Sequence, residues 1–378
     1  MEKIRNEHIA WIDLLRIIAC LFVLLSHSCD PFVAQGNNNY LAFLSGTFWG
    51  SFVRPCVPLF VMMSGVLLLP IKLEMSTFYS RRIKRIIIPL VFWSFALPIL
   101  YYLYFNIGGT TTNLNIVKEE HTLAATLTKF YTFIFNFNYD VTPLWYLYML
   151  IGLYFIMPII SSWLENAKQK DIKRFLWIWG ISLFLPYIKF VAPALGYAGV
   201  YGNMGLLGIC DWNPNGTFYY ASGFIGYLVL AFYLVKFPLQ WSMKKTLSIA
   251  IPLFLAGYTI TSVGFVLMQK YYPTVPANLE IVWYFTGINV FMMTYAVFIV
   301  VQKIRINVSP MLTKIASLTF GIYLCHFFFL QLSFDFIIEN IGFPPFLKIP
   351  ILAISTFCIT YPIVWVLSKF SLTRSLVM

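Results

Sequence analysis

Residues 11–29 read WIDLLRIIACLFVLLSHSC, and this stretch decides the class of fold that the chain adopts. Between Ile17 and Leu25 it holds no charged side chain, and as a helix the whole stretch would be about 29 Å long. The hydrocarbon core of a bilayer is about 30 Å thick, and within it the backbone polar groups must bond to one another. The stretch therefore predicts a helix that crosses a membrane.

Apolar runs of similar length follow along the whole chain, with no linker between them and no internal repeat. The sequence thus predicts an all-α, polytopic integral membrane protein with about ten spans in a single transmembrane domain, residues 1–378. Because membrane helices tolerate kinks, the prolines inside these runs are not expected to end a span. The predicted spans are 11–29, 48–69, 86–105, 144–163, 175–192, 218–236, 246–268, 281–301, 312–334 and 347–368.

The composition excludes several classes of protein. Of the 378 residues, 60% are hydrophobic and 11% are charged, whereas ordinary soluble chains have roughly 45–50% and about 25%. So little charge cannot cover a soluble fold, which excludes a soluble enzyme, a disordered protein and a nucleic-acid-binding domain. The six cysteines show no metal-ligand spacing, and we expect small buried hydrophobic residues rather than a metal site.

The basic residues are distributed unevenly between the two sides of the predicted spans. Nineteen lysines and arginines fall on the side of the N-terminus, five fall on the other side and two lie inside spans. Cytoplasmic loops carry the excess of positive charge, so both termini are predicted to be cytoplasmic in a multi-pass protein of the inner (cytoplasmic) cell membrane. The net charge of +12 then reflects contact with membrane lipid, and no nucleic-acid partner is expected.

The loops predicted on the outer side are longer and poor in basic residues. They are residues 30–47, 106–143, 193–217 and 335–346. Within the second of them, residues 122–137 are apolar but too short to cross the bilayer. This segment either lies on the outer interface or folds back into the protein, and the sequence leaves both open.

The first predicted span contains three ionisable residues, Asp13, Arg16 and His27, which are costly in lipid and usually mark a function or an internal partner. Asp13 and Arg16 are three residues apart, so they can neutralise each other, or Arg16 can reach the lipid headgroups. Arg16 and His27 share one face of the helix and are about 16 Å apart along its axis. His27 is either a satisfied polar side chain or a functional residue, and Asp30, three residues on, can orient its imidazole.

Two further sets of cations are candidate anion sites. Arg54, in the outer part of the second predicted span, can hold a carboxylate or phosphate or polarise a carbonyl, or it can anchor the helix at the interface. Residues 80–85, SRRIKR, place four positive charges between the second and third spans. They either anchor this loop on anionic lipid or cradle the phosphates of a phosphorylated donor, and the sequence leaves both open.

His326, Trp145 and Tyr146 are further candidate residues in or near the later spans. His326 falls within the ninth predicted span, where an imidazole needs a partner. Trp145 and Tyr146 open the fourth span from the outer side, either as substrate contacts or as part of an aromatic belt at the interface. His121 lies outside the spans and gives no functional signal.

Five segments of the chain, in order, resemble motifs of the acyltransferase 3 family of integral-membrane acyltransferases. Arg16, ten further residues and His27 resemble the R-x10-H motif of the first helix in that family. The other segments are residues 57–65 (VPLFVMMSG), 81–85 (RRIKR) with Pro89 beyond them, 144–147 (LWYL) and 321–326 (GIYLCH). The resemblance covers essentially the full chain.

The resemblance implies transfer of an acyl group from cytoplasmic acetyl-CoA, or another acyl-CoA, to a hydroxyl of an extracytoplasmic or lipid-linked sugar. His27 would act as general base on that hydroxyl or form an acetyl-histidine intermediate, and Asp30, from its spacing alone, would orient the ring. The phosphates of the donor would contact Arg16, Arg81, Arg82 and Arg85. The acyl group or the sugar would contact Arg54, Trp145, Tyr146 and His326.

The residues alone leave two other classes of function open. A secondary transporter of a small solute would also have about ten helices with charges in the membrane, although the sequence shows no inverted repeat. A membrane sensor or anchor without chemistry would tolerate the loss of His27. The chain ends directly after the tenth predicted span, so we expect no fused soluble domain.

Overall fold

The structure is a computed structural model that describes residues 10–36, 38–134, 138–196, 205–210, 212–273, 280–307 and 309–378. Within these ranges the chain forms helices and no β-strand, which confirms the predicted all-α class. The α-helices are α1 (Ala10–Ser28), α2 (Asp30–Val33), α3 (Tyr40–Phe52), α4 (Cys56–Leu68), α5 (Met75–Asn106), α6 (Leu123–Thr132), α7 (Trp145–Asn166), α8 (Gln169–Ser182), α9 (Leu185–Ala194), α10 (Ile225–Lys236), α11 (Met243–Tyr271), α12 (Ile288–Lys303), α13 (Pro310–Ser333), α14 (Pro345–Leu367) and α15 (Ser371–Val377). Shorter elements are the 3₁₀ segments Lys118–His121, Tyr139–Leu144, Leu206–Gly208, Gly216–Phe218 and Glu280–Trp283, and the π-helical turn Phe334–Ile338.

The apolar helices match the predicted spans in order. Among the described residues, eight helical stretches are long and apolar enough to cross a membrane, and the pair α8–α9 makes a ninth if it counts as one bent span. The sixth predicted span, 218–236, contains α10, which has only 12 residues and is about 18 Å long. This helix is shorter than the predicted span because a turn-rich stretch, rather than helix, precedes Ile225.

Pro186 interrupts a predicted span, although the prolines inside these spans were not expected to end a helix. The fifth predicted span is broken between α8 and α9, which meet at an angle of 40°. α8 ends at Ser182, four residues before Pro186, which stands in the first turn of α9. Proline offers no N–H to the carbonyl four residues earlier, and its ring clashes with that carbonyl. The prolines inside α5, α7, α11 and α14 leave those helices continuous, as predicted.

The predicted orientation can be tested by labelling single cysteines. In a background without the six native cysteines, Asn38→Cys should react with an impermeant maleimide added outside intact cells, and Gln169→Cys should not. Both positions are exposed, so access differs only through the side of the membrane on which they lie. Labelling of Gln169→Cys from outside, or of neither position until the cells are opened, would overturn the orientation.

The chain separates into two compact units. The first unit comprises Met1–Leu15, Arg54–Lys72 and Met157–Ile306, and the second comprises Arg16–Val53, Leu73–Ile156 and Asn307–Met378. Each unit is therefore assembled from segments distant in sequence. The prediction of a single domain over residues 1–378 stays a prediction.

The first unit is held together by two close helix packings. α11 packs along α12, and α10 packs between α4 and α8. Gly65 of α4 permits the approach of α10, because a Cβ atom at this position would lie 2.6 Å from the carbonyl oxygen of Leu228. Small residues of this kind let membrane helices come close enough for dispersion contacts to stabilise them.

Replacing Gly65 with alanine should lower the free energy of unfolding by about 1–3 kcal/mol, because the added methyl group overlaps the backbone of α10. Gly180→Ala in α8 is the matched control, since an added Cβ there meets no atom within 4 Å and alanine favours a helix. Thermal unfolding of the purified proteins in detergent, followed by tryptophan fluorescence, measures both changes. Equal midpoints for Gly65→Ala and the native chain would contradict this packing.

The second unit has its core where α13 packs along α14 and α14 packs against α3. Part of the predicted outer loop 30–47 is helical, forming α2 and the start of α3. In the apolar segment 122–137, α6 is the helix, and residues 135–137 lie outside the described residues. The buried core cluster consists of Cys29, Phe32, Ala42, Leu330, Phe334, Ile338, Ile349 and Leu352.

Candidate active site

His27 and Asp30 form a hydrogen-bonded pair at the junction of α1 and α2. The Nδ1 atom of His27 donates to Oδ2 of Asp30 over 2.9 Å, so the contact expected from their spacing is present. The junction follows from Pro31, which has no N–H for the carbonyl of His27 and thereby ends α1. The side chains of His27 and Asp30 are 19% and 34% exposed, which leaves room for a ligand to reach them.

A second histidine lies beside this pair. His326 of α13 is completely buried, and the centroids of its ring and the His27 ring are 5.3 Å apart. Its Nδ1 atom donates to the Tyr323 carbonyl over 2.6 Å, so the Nε2 atom is an acceptor. No described residue forms a hydrogen bond with that Nε2. Because a buried polar atom without a partner costs about 1–3 kcal/mol, such an atom is typical of a site that receives a ligand.

Aromatic rings enclose the two histidines. Phe327 packs on His27 with ring centroids 5.2 Å apart, and Tyr139 packs on Phe327 at 5.0 Å. Tyr139 belongs to the 3₁₀ segment Tyr139–Leu144, which brings the start of α7 to α13. Sequence reasoning missed both Phe327 and Tyr139, since no spacing rule connects positions so far apart in the chain.

Trp145 and Tyr146 reach the site through Tyr323. The Tyr323 hydroxyl donates to the carbonyl of Pro143, and the Tyr146 ring packs on the Tyr323 ring at 5.7 Å. Trp145 packs edge-on against Tyr146 at 6.4 Å. The structure thus brings both predicted residues to the wall that carries His326.

The predicted donor-binding arginines lie on two helices of the second unit. Arg16 is half-buried on α1, about 16 Å from His27 along the helix axis. Arg81 and Arg85 are exposed and Arg82 is half-buried in the second and third turns of α5. Within the described residues, no carboxylate forms an ion pair with any of these three α5 arginines. Their guanidinium groups therefore have donor capacity for an anionic ligand or for lipid headgroups.

Arg54 is held by aromatic rings in the first unit. It lies in the turn Val53–Pro55 between α3 and α4 rather than within one continuous helix, because Pro55 interrupts the backbone hydrogen bonding. Its guanidinium carbon stands 4.2 Å from the centroid of the Trp283 ring and 5.3 Å from that of Phe285. Such cation–π contacts contribute about 0.5–2 kcal/mol each. The predicted contact of Arg54 with the acyl group or sugar stays a prediction.

A buried ionic cluster was not anticipated from the sequence. His121, which is 2% exposed, donates from Nε2 to Asp140 over 2.9 Å and from Nδ1 to the Val117 carbonyl over 3.0 Å. Lys129 donates to the other oxygen of Asp140 over 2.6 Å. Both ring nitrogens of His121 thus face hydrogen-bond acceptors. The cluster anchors Asp140, the residue next to Tyr139, and thereby supports the wall of the site.

Comparison with known families decides the class of protein. The family model described as an acyltransferase domain matches residues 9–365. The chain belongs to the acyltransferase 3 family. Together with the apolar helices, this makes the protein a multi-pass membrane acyltransferase. Searches of curated proteins and of solved structures gave no match.

The geometry around His27 suits proton transfer in this acyltransferase. The bond to Asp30 fixes the imidazole with its proton on Nδ1, which leaves Nε2 as the basic atom. Among the described residues, Nε2 of His27 has no hydrogen-bond partner. The imidazole of His27, the carboxylate bonded to it and a second acceptor nitrogen on His326 thus lie within one aromatic-walled site.

Proposed function

We propose that the protein is an O-acyltransferase that moves an acetyl or other short acyl group from cytoplasmic acyl-CoA to a hydroxyl of an extracytoplasmic or lipid-linked sugar. The observation that supports this most strongly is the His27–Asp30 pair, which presents Nε2 of a polarised imidazole in a partly exposed site. Such a pair is the arrangement that general-base catalysis of acyl transfer to a hydroxyl needs. Membership of the acyltransferase 3 family supports the reaction class.

In the proposed reaction, His27 first accepts and later returns one proton, while one carbon–oxygen bond forms and one carbon–sulfur bond breaks. Nε2 takes the proton of the sugar hydroxyl, and the oxygen forms a bond to the thioester carbonyl carbon. Collapse of the tetrahedral intermediate breaks the carbon–sulfur bond, and the imidazolium returns its proton to the departing thiolate of CoA. Asp30 stabilises the imidazolium in between, because its carboxylate accepts the hydrogen bond from Nδ1.

His326 has a separate role in this proposal. Its Nε2 atom is fixed as an acceptor by the bond from Nδ1 to the Tyr323 carbonyl, and it lies in a buried position beside His27. A hydroxyl group donating to this atom would be held next to the base and would satisfy it. His326 therefore orients the acceptor sugar, while Tyr146 and Trp145 support the helix wall that carries it.

The donor is proposed to bind through the arginines of the second unit. Arg82 and Arg85, with Arg81 beside them, have guanidinium groups that can fork onto the phosphates of CoA. Arg16 lies on the same helix as His27, so the pantetheine arm of CoA can follow α1 towards the imidazole. Acyl-CoA is the donor substrate in this scheme, and no metal is required by it.

The sequence offers one indication of the acceptor. Residues 217–220, TFYY, most resemble the O-acetyltransferase of enterobacterial common antigen within the family. On that resemblance the acceptor would be a sugar of a cell-surface polysaccharide or of its lipid-linked precursor. The predicted position in the inner membrane agrees with such an acceptor.

The proposed function is tested by following the acyl group. The purified protein in lipid nanodiscs is given radiolabelled acetyl-CoA and an extract of cell-surface glycans. We expect label in the glycan that mild alkali or hydroxylamine releases, as it releases an O-ester. Alkali-stable label would contradict an oxygen acceptor. No label in any glycan, together with counterflow of a small solute across vesicles, would favour the transporter instead.

A further inference from the structure

A cavity of about 520 Å³ lies in the second unit beside the π-helical turn Phe334–Ile338. Its walls come from the end of α5, the turn after it, α13 and the π-helical turn. This size falls within the range of small-molecule sites, and isolated π-helical turns are frequent at functional sites. Among the lining residues are two carboxylates, Asp335 and Glu339, and three aromatic rings, Tyr104, Phe328 and Phe336; none is lysine or arginine.

Asp335 is the polar centre of this cavity. Its Oδ2 atom accepts a hydrogen bond from Tyr104 over 2.8 Å and one from Gln331 over 2.7 Å. The residue is only 8% exposed, and its Oδ1 atom is buried with no hydrogen-bond partner among the described residues. A buried carboxylate oxygen without a hydrogen-bond partner is costly and is typical of a site that receives a ligand. One oxygen of the carboxylate is therefore held in place, and the other, near the Thr111 side chain, keeps acceptor capacity for a ligand.

A polar network leads from this cavity round α13 to the candidate active site. Gln331 accepts a hydrogen bond from Asn113 over 2.8 Å. Asn113 in turn lies beside Tyr139, which packs on Phe327 next to His27. Phe328 lines the cavity on a different side of α13 from His326, because successive residues of a helix are about 100° apart. The cavity is thus a separate pocket, and Gln331 and Asn113 connect its Asp335 to the aromatic residues that frame His27.

We propose that this cavity binds a neutral sugar unit of the acceptor glycan, as a subsite distinct from the hydroxyl that is acylated; the inference rests on the proposed function. The chemistry of the lining selects that class of ligand. Carboxylates accept hydrogen bonds from hydroxyl groups, and aromatic rings pack against the apolar face of a sugar. Two carboxylates without a neighbouring cation would repel the phosphates of CoA or of a lipid headgroup.

The test compares variants of the full chain in nanodiscs. Asp335→Asn should raise the KM for the glycan acceptor about tenfold or more, since it weakens a hydrogen bond to a charged group. The KM for acetyl-CoA should stay within twofold of the native value. Phe336→Ala is the second variant, because this ring is 66% exposed and its loss does not threaten folding. The matched control is Asp171→Asn, a partly exposed carboxylate of α8 that pairs with Arg174.

The outcomes separate this subsite from the proposed function. If both variants keep a native acceptor KM, the subsite is wrong even though transfer to glycan occurs. If the native protein transfers no acetyl group, binding is measured directly with fluorescent oligosaccharides prepared from the same glycan extract. Binding that Asp335→Asn and Phe336→Ala both lose would support the subsite, and absence of binding would overturn it. Binding confined to amino sugars with a free ammonium group would also overturn it, in favour of a cation site.

Discussion

Replacing His27 with alanine should lower kcat for acyl transfer about 10²- to 10⁴-fold, which is the usual contribution of a positioned general base. The variant loses the Nε2 atom that takes the hydroxyl proton, whereas the arginines proposed to bind the donor are unchanged. Acyl-CoA binding should therefore persist while turnover falls. Steady-state rates and equilibrium binding of acetyl-CoA, measured on the same nanodisc preparation, separate the two effects.

Two further variants sharpen the result for His27. Leu21→Ala is the matched control, because Leu21 lies on the same helix and is 37% exposed, so its loss tests general disturbance of α1. Asp30→Asn should also lower kcat, since an amide cannot stabilise the imidazolium as a carboxylate does. A rate for His27→Ala within threefold of the native rate would exclude His27 as the base.

Replacing Arg82 and Arg85 together with glutamine should weaken acyl-CoA binding about 100-fold or more, since each of the two side chains loses hydrogen bonds to charged groups that contribute about 1.5–3 kcal/mol. The physical reason is that both side chains lie on one stretch of α5 and form no ion pair with a described carboxylate. Binding of radiolabelled acetyl-CoA to nanodiscs measures the change. The loss should be smaller at high salt, because ions screen exposed charges.

A matched pair of basic residues tests the alternative that these arginines only anchor lipid. Lys173 and Arg174 are exposed in α8, on the side also predicted to be cytoplasmic. Replacing both with glutamine should leave acyl-CoA binding within twofold of the native value. If the α5 variant binds acyl-CoA normally but inserts poorly into membranes, the arginines are anchors and the donor site lies elsewhere.

Local patterns explain what the sequence could predict. The apolar runs placed the spans, because a helix in lipid must satisfy its own backbone within a fixed length. The contact of His27 with Asp30 could also be expected from a local rule, since residues three positions apart lie on the same side of a helical turn. The break at Pro186 was misjudged: tolerance of proline depends on whether neighbouring helices supply the lost hydrogen bond.

Contacts between distant segments explain what the sequence could not predict. His326 is 299 residues from His27, and their approach depends on how α13 packs in the second unit. Arg54 meets Trp283 through packing within the first unit, which no local rule anticipates. The burial of His121 with Asp140 and Lys129 likewise depends on tertiary structure, so an apparently uninformative histidine became part of the site wall.

The most direct test of the account places donor and acceptor on opposite sides of the membrane. The protein is reconstituted in sealed vesicles that enclose radiolabelled acetyl-CoA, and the glycan extract is added outside. We predict that label appears in the outer glycan with the native protein and not with His27→Ala. Equal labelling by both proteins would contradict the role of His27. Labelling that occurs only when donor and acceptor share one side would contradict transfer of the acyl group across the membrane.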